Sequence, residues 1–152
     1  MEGKLTIHRG RLRVLGSTSR ADMTMLFGGQ CTAVLVQLAN AGYRVVAPDQ
    51  RGYNLSDKPS GVESYCIERL TADIRELIRV CGRERAVIVA HDWGGAVAWR
   101  FAMDYASAVE ALVVMNAPHP AALARELNTN WRQRARSWYM FSSNCPGCRK
   151  RY

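Results

Sequence analysis

The sequence predicts a doubly wound, mostly parallel α/β sheet, and three observations predict it. Apolar runs of strand length alternate with amphipathic stretches of helix length along most of the chain. One run, Ala86-Val87-Ile88-Val89-Ala90, is unbroken, as expected of a strand covered on both faces of a parallel sheet. Polar segments rich in glycine or proline follow the strand ends, where such a sheet holds its ligands.

Taken in order, Lys4 to Leu15 alternate loosely on either side of Gly10 and predict a short hairpin, with His8 on an exposed strand face. Between Gly16 and Ala33 the signals conflict: GSTSRAD reads as loop, MTMLF as a candidate strand and GGQCTA as a turn. Ala33 to Ala41 reads as a helix closed by Gly42, and Tyr43 to Ala47 as a buried strand. Pro48 to Pro59 then forms a polar loop too long to be a mere connection. Tyr65 to Cys81 is an amphipathic helix with Ile67, Leu70, Ile74, Leu77, Ile78 and Cys81 on one face, stopped by Gly82. The strand Ala86 to Ala90, a helix Ala96 to Tyr105, and a further strand Ala111 to Met115 ending in Asn116-Ala117-Pro118-His119-Pro120 complete the pattern.

Between the central strand and its helix lies His91-Asp92-Trp93-Gly94-Gly95. Ala90 stands two residues before Asp92, and Gly94 and Gly95 two and three after it. Small residues in those places suit a sharp strand-to-helix turn, where strand and helix pass too close for larger side chains. Such a nucleophile elbow lifts Asp92 above the carboxyl edge of the sheet, beside the positive N-terminus of the next helix. An aspartate there can attack an electrophilic sp3 carbon, whereas the commoner serine attacks acyl carbons.

Composition narrows the field. No apolar run approaches the ~20 residues of a membrane span, and MEGKLTIHRGRLRV lacks the apolar centre of a signal peptide, so a cytoplasmic protein without membrane association is expected. The net charge is +8, but Arg149, Lys150 and Arg151 supply three of those charges. With no nucleic-acid module or interleaved aromatics, no nucleic-acid partner is expected. Cys31, Cys66 and Cys81 read as buried reduced thiols. Cys145-Pro-Gly-Cys148 supplies only two of the four ligands of a structural zinc site and follows no thioredoxin-like strand. No metal and no cofactor is expected.

The segments APDQRGYNLSDKP, AHDWGG and MNAPHP, in this order, resemble the signature loops of epoxide hydrolase-like proteins. These form a branch of the α/β-hydrolase superfamily near the haloalkane dehalogenases, and the resemblance runs from about residue 34 to 141. It implies a partial α/β-hydrolase fold and a small apolar epoxide or halide as substrate. Asp92 would be the nucleophile, forming an alkyl ester on its carboxylate, and the backbone N–H of Trp93 one oxyanion donor for hydrolysis of that ester. His91 is expected to orient the turn. His119 belongs, in the family, to the turn leading toward the cap, the catalytic base being a histidine far downstream. Asn116 lies where some dehalogenases place their acid; as an amide it cannot serve, which favours the epoxide hydrolase type.

The chain also departs from the family pattern. Met25-Leu26-Phe27-Gly28-Gly29-Gln30 stands where relatives carry a His-Gly-x-Pro loop with the second oxyanion donor. The cap, its tyrosines, the acid and the base histidine of the family have no counterpart in these residues. After Phe141, SSNCPGCRKRY resembles nothing in the family, whose members continue with Phe-Phe-Gln-Leu-Pro and then Leu-Pro-Glu-Ala-Leu. A back-translation of residues 141–152 with synonymous codons chosen freely, read one base earlier, gives Leu-Phe-Gln-Leu-Pro-Gly-Leu-Pro-Glu-Ala-Leu. A frameshift after Phe141 is therefore expected, with 1–141 the N-terminal part of a hydrolase domain and 142–152 a tail out of frame.

Two functions follow as expectations. The first is an epoxide hydrolase-like chain, inactive or limited to a single turnover, with a haloalkane dehalogenase-like hydrolase as its nearest alternative. The second is a non-catalytic interaction protein that self-associates through an exposed sheet edge.

Overall fold

The structure is a computed structural model and describes residues 13–15, 23–27 and 32–138. Its five-stranded sheet comprises β1 (Arg13–Leu15), β2 (Met23–Phe27), β3 (Arg44–Ala47), β4 (Ala86–His91) and β5 (Val109–Met115), in the spatial order β1-β3-β2-β4-β5. β1 runs antiparallel to β3, and every other pairing is parallel. The helices are α1 (Thr32–Asn40), α2 (Ile67–Val80), α3 (Trp93–Asp104), α4 (Pro120–Thr129) and α5 (Trp131–Arg136).

Strand order explains the two helical layers. The chain leaves β2 toward β3 in one direction, then returns past β2 to β4 and on to β5 in the other. Right-handed crossovers in opposite directions put their helices on opposite faces. Accordingly Val45 and Val89 pack with Val34, Leu38 and Ala39 of α1 on one side. On the other, Val46, Ile88 and Ala90 pack with Ile74 and Ile78 of α2 and Val97, Ala98 and Phe101 of α3. The unbroken apolar run of β4 thus serves both layers. Full burial of Phe101, Ile78 and Ile88 contributes about 1.5–3 kcal/mol each, which fixes α2 and α3 against the strand.

Both predicted glycine stops hold. At the end of α1 the N–H of Tyr43 donates to the Leu38 carbonyl and that of Gly42 to Ala39; Arg83 and Gly82 repeat the arrangement with Ile78 and Arg79 after α2. This double closure needs a left-handed residue, and Gly42 and Gly82 have φ of 92° and 74°.

MTMLF is the strand it was a candidate for, β2, paired on both sides. Of the expected hairpin, residues 4–12 lie outside the described residues, while Arg13 to Leu15 pair antiparallel with β3. α3 begins at Trp93, three residues earlier than expected, and the segment after β5 forms α4 and α5. Cys66 and Cys81 are free thiols but only half-buried, while Cys31, Cys145 and Cys148 lie outside the described residues.

Among the described residues β5 is an edge strand, and on the α1 side its Ala111 and Val113 are exposed, Val113 to 47 %. Neither α4 nor α5 buries a residue. Among the described residues no helix is long and apolar enough to cross a membrane.

Candidate active site

The point at which the chain reverses its winding lies between β2 and β4, and a crevice at the carboxyl ends of such strands is where open α/β sheets bind ligands. β4 ends there in His91, paired in register with Met115, the last residue of β5. One residue on, the N–H of Asp92 donates to the Met115 carbonyl at 3.1 Å. Asp92 then takes φ 52° and ψ −123°, and α3 starts at the very next residue. A non-glycine residue at such dihedrals is strained, and that strain turns the chain from strand to helix without a loop.

The Asp92 carbonyl accepts the N–H groups of Gly95 at 2.9 Å and Ala96 at 3.3 Å. The N–H groups of Trp93 and Gly94, ahead of them in the first turn, are those a helix leaves unpaired. The Asp92 side chain is exposed, and among the described residues nothing hydrogen-bonds its carboxylate. The Trp93 side chain is half-exposed.

The glycines make this possible. Gly94 and Gly95 are buried, as is Ala90. A Cβ on Gly95 would lie 2.5 Å from Ala117 Cβ and 2.9 Å from Val114 Cγ1, inside any real contact distance. The first turn of α3 therefore sits directly on the end of β5.

His91 lies half-buried beside the turn, with Nε2 3.1 Å from Nδ2 of Asn116. His119 caps α4, its Nδ1 accepting the N–H of Ala121 at 3.2 Å. Its ring also meets Trp99 edge-on, with centroids 4.8 Å apart. Trp99 in turn donates from Nε1 to the Ala117 carbonyl at 3.2 Å.

The loop after β3 approaches the same sheet end and is held by its own side chains. Ser56 Oγ donates to the Asp49 carbonyl at 2.6 Å, and Asn54, at φ 42°, donates from Nδ2 to Asp49 Oδ2 at 3.0 Å. Arg51 anchors it to α2 through two parallel bonds to Asp73, 2.8 and 2.7 Å long. Hydrogen bonding to Asp73 holds the Arg51 guanidinium above its already high ordinary value, against a smaller opposing effect of burial. Sequence reasoning missed this brace. Its signal was Asp73 itself, which lies three residues after Leu70 and four before Leu77, inside the apolar stripe.

The segment after Phe27, where a second oxyanion donor was in question, lies outside the described residues. Among the described residues no three His, Cys, Asp or Glu side chains cluster as metal ligands.

Comparison with known proteins gives a consistent picture. Residues 27–140 match the family described as alpha/beta hydrolase fold. The chain is 52 % identical over 99 residues to epoxide hydrolase 1 of Caenorhabditis elegans, covering 65 % of this chain and 24 % of that protein. It is 55 % identical over 83 residues to the AB hydrolase superfamily protein YfhM of Bacillus subtilis, covering 55 % and 29 %. Among solved structures, an epoxide hydrolase of Bacillus megaterium in complex with an inhibitor superposes with a TM-score of 0.79 at 35 % identity. That match covers 93 % of this chain and 55 % of the other. The chain thus spans less than a third of these curated relatives and about half of the solved one.

Proposed function

This chain belongs to the α/β-hydrolase fold family, and from that premise we propose that Asp92 opens epoxides by forming an alkyl ester. One Asp92 carboxylate oxygen attacks an epoxide carbon, the ring C–O bond breaks, and the released alkoxide takes a proton from solvent. Water then adds to the ester carbonyl, the tetrahedral oxyanion is held by the Trp93 N–H, and the departing diol restores the aspartate. The reading is carried by one observation: an exposed carboxylate with no partner among the described residues, at a strained strand-to-helix turn that opens a helix, whose first N–H groups have no partner within the helix. The names of the relatives support epoxides as the substrate class. The amide of Asn116, which cannot serve as the acid of a dehalogenase, supports it further.

The second step needs a base. Among the described residues, Nε2 of His91 is engaged by Asn116, and His119 is occupied as a helix cap. The 152-residue chain is accordingly proposed to stop at the ester, alkylated once without turning over.

Incubating the 152-residue chain with styrene oxide tests this by intact mass and peptide mapping. The expected result is one adduct on the peptide containing Asp92, removed by hydroxylamine as an ester would be and absent in Asp92→Asn. Adducts only on cysteines, which resist hydroxylamine, would refute the assignment. Sustained release of diol would refute the single turnover.

The open edge of β5, with Val113 exposed on its flank, supports a second reading, self-association through that edge. Sedimentation velocity decides it: a concentration-dependent dimer is expected, and a monomer at all concentrations removes this reading.

A further inference from the structure

The geometry points to Asn116 as a positioning residue of the Asp92 turn, acting through the imidazole of His91; this rests on Asp92 being the reacting carboxylate. β4 and β5 are paired in register up to His91 and Met115. Beyond that pair both chains enter positive φ, Asp92 at 52° and Asn116 at 55°. Two bonds then tie the strand ends together at consecutive positions. The Asp92 N–H donates to the Met115 carbonyl at 3.1 Å, and Asn116 Nδ2 donates to His91 Nε2 at 3.1 Å.

An amide nitrogen can only donate, so the Nε2 lone pair accepts and the proton of the neutral ring sits on Nδ1. His91 becomes a strut with a fixed tautomer, and its Nε2 is withheld from any proton transfer. Residue 116 meets two demands here. Asparagine is among the few residues that tolerate the left-handed region, and its side chain supplies a donor. Glycine meets the first demand alone, which separates a positioning role from a merely conformational one.

Three variants and two readouts test this. The first readout is the 15N spectrum of the His91 imidazole together with hydrogen exchange of the Asp92 amide, neither of which depends on chemistry. The second is the rate at which styrene oxide alkylates Asp92. In the wild-type chain Nδ1 carries the proton. Asn116→Gly keeps the backbone and removes the donor, so the tautomer shifts, and Asp92 exchange accelerates about fivefold to tenfold, the value of one hydrogen bond. Alkylation slows by a similar factor. His91→Phe does the same to exchange and alkylation, whereas His91→Gln, whose Oε1 accepts the same bond, stays within twofold of wild type.

A proton on Nε2 in the wild type overturns the inference, as does wild-type exchange in Asn116→Gly or equal behaviour of His91→Phe and His91→Gln. If the wild type is never alkylated at Asp92, the proposed function fails instead, and spectrum and exchange still decide the Asn116 to His91 bond.

Discussion

Replacing Asp92 by glycine should stabilise the fold while abolishing its chemistry. At φ 52° and ψ −123° a side chain is strained, and such a residue costs about 1–3 kcal/mol. Glycine removes that strain but returns about 0.4–1 kcal/mol of freedom to the unfolded chain. Asp92→Ala is the necessary reference, since it lacks the carboxylate and any interaction of that charge with the α3 N-terminus, yet keeps the Cβ. Asp92→Gly should therefore exceed Asp92→Ala by about 1 kcal/mol, a rise of about 2–4 °C in thermal midpoint for a chain of this size. The assay is thermal unfolding followed by far-ultraviolet circular dichroism, with urea unfolding for the free energy. Equal midpoints, or a lower one for glycine, would show that the turn stores no strain and would sink the argument from the dihedrals.

Gly95→Ala should destabilise by about 1–3 kcal/mol, because its Cβ meets Ala117 at 2.5 Å and overpacks the α3 to β5 contact; Ala117→Gly should recover part of the loss in urea unfolding. Asp73→Asn removes the charge facing Arg51; with both side chains about a quarter exposed and partly screened, about 1–2 kcal/mol should be lost, and raised salt should narrow the gap to wild type. Burial raises the Cys81 thiol, partly opposed by the nearby Arg44 charge, so the folded chain retains its proton longer than the unfolded one. The contribution of Cys81 to stability should then be constant below about pH 8.5 and fall as pH rises beyond it, a slope that Cys81→Ala should flatten in pH-dependent unfolding. Val114→Ala loosens the contact under Gly95 and should speed hydrogen exchange at the Asp92 amide, whereas Val113→Lys, on the exposed flank of the same strand, should leave it unchanged.

What the sequence disclosed depended on how locally each feature is determined. β4 was legible because both its faces are packed, which demands an apolar residue at every position. The stops at Gly42 and Gly82 were legible because a helix end needs left-handed residues within a few positions. β2 was ambiguous because MTMLF is short and does not keep a strict alternation; its pairing with β3 and β4 on either side settles its conformation. The start of α3 was misplaced because Gly94 and Gly95 lower helix propensity, by about 1 kcal/mol each. Packing against Val114 and Ala117 outweighs that cost. The Arg51 to Asp73 brace and the His91 to Asn116 bond join residues 22 and 25 positions apart, and only the folded sheet reveals such pairs.

Strain, close approach and cross-strand bonding all converge on two short segments, residues 90–95 and 114–117. Each device ties the junction of β4 and α3 to the end of β5: the Asp92 N–H to Met115, the missing Cβ of Gly95 against Ala117 and Val114, and the His91 imidazole to Asn116. Trp99, one helical turn further along α3, donates to the Ala117 carbonyl and adds a fourth tie. The Asp92 turn is therefore held by β5 as well as by its own strand, and among the described residues β5 is an edge strand. A strained residue persists only where its surroundings over-determine it, and here β5 supplies that determination.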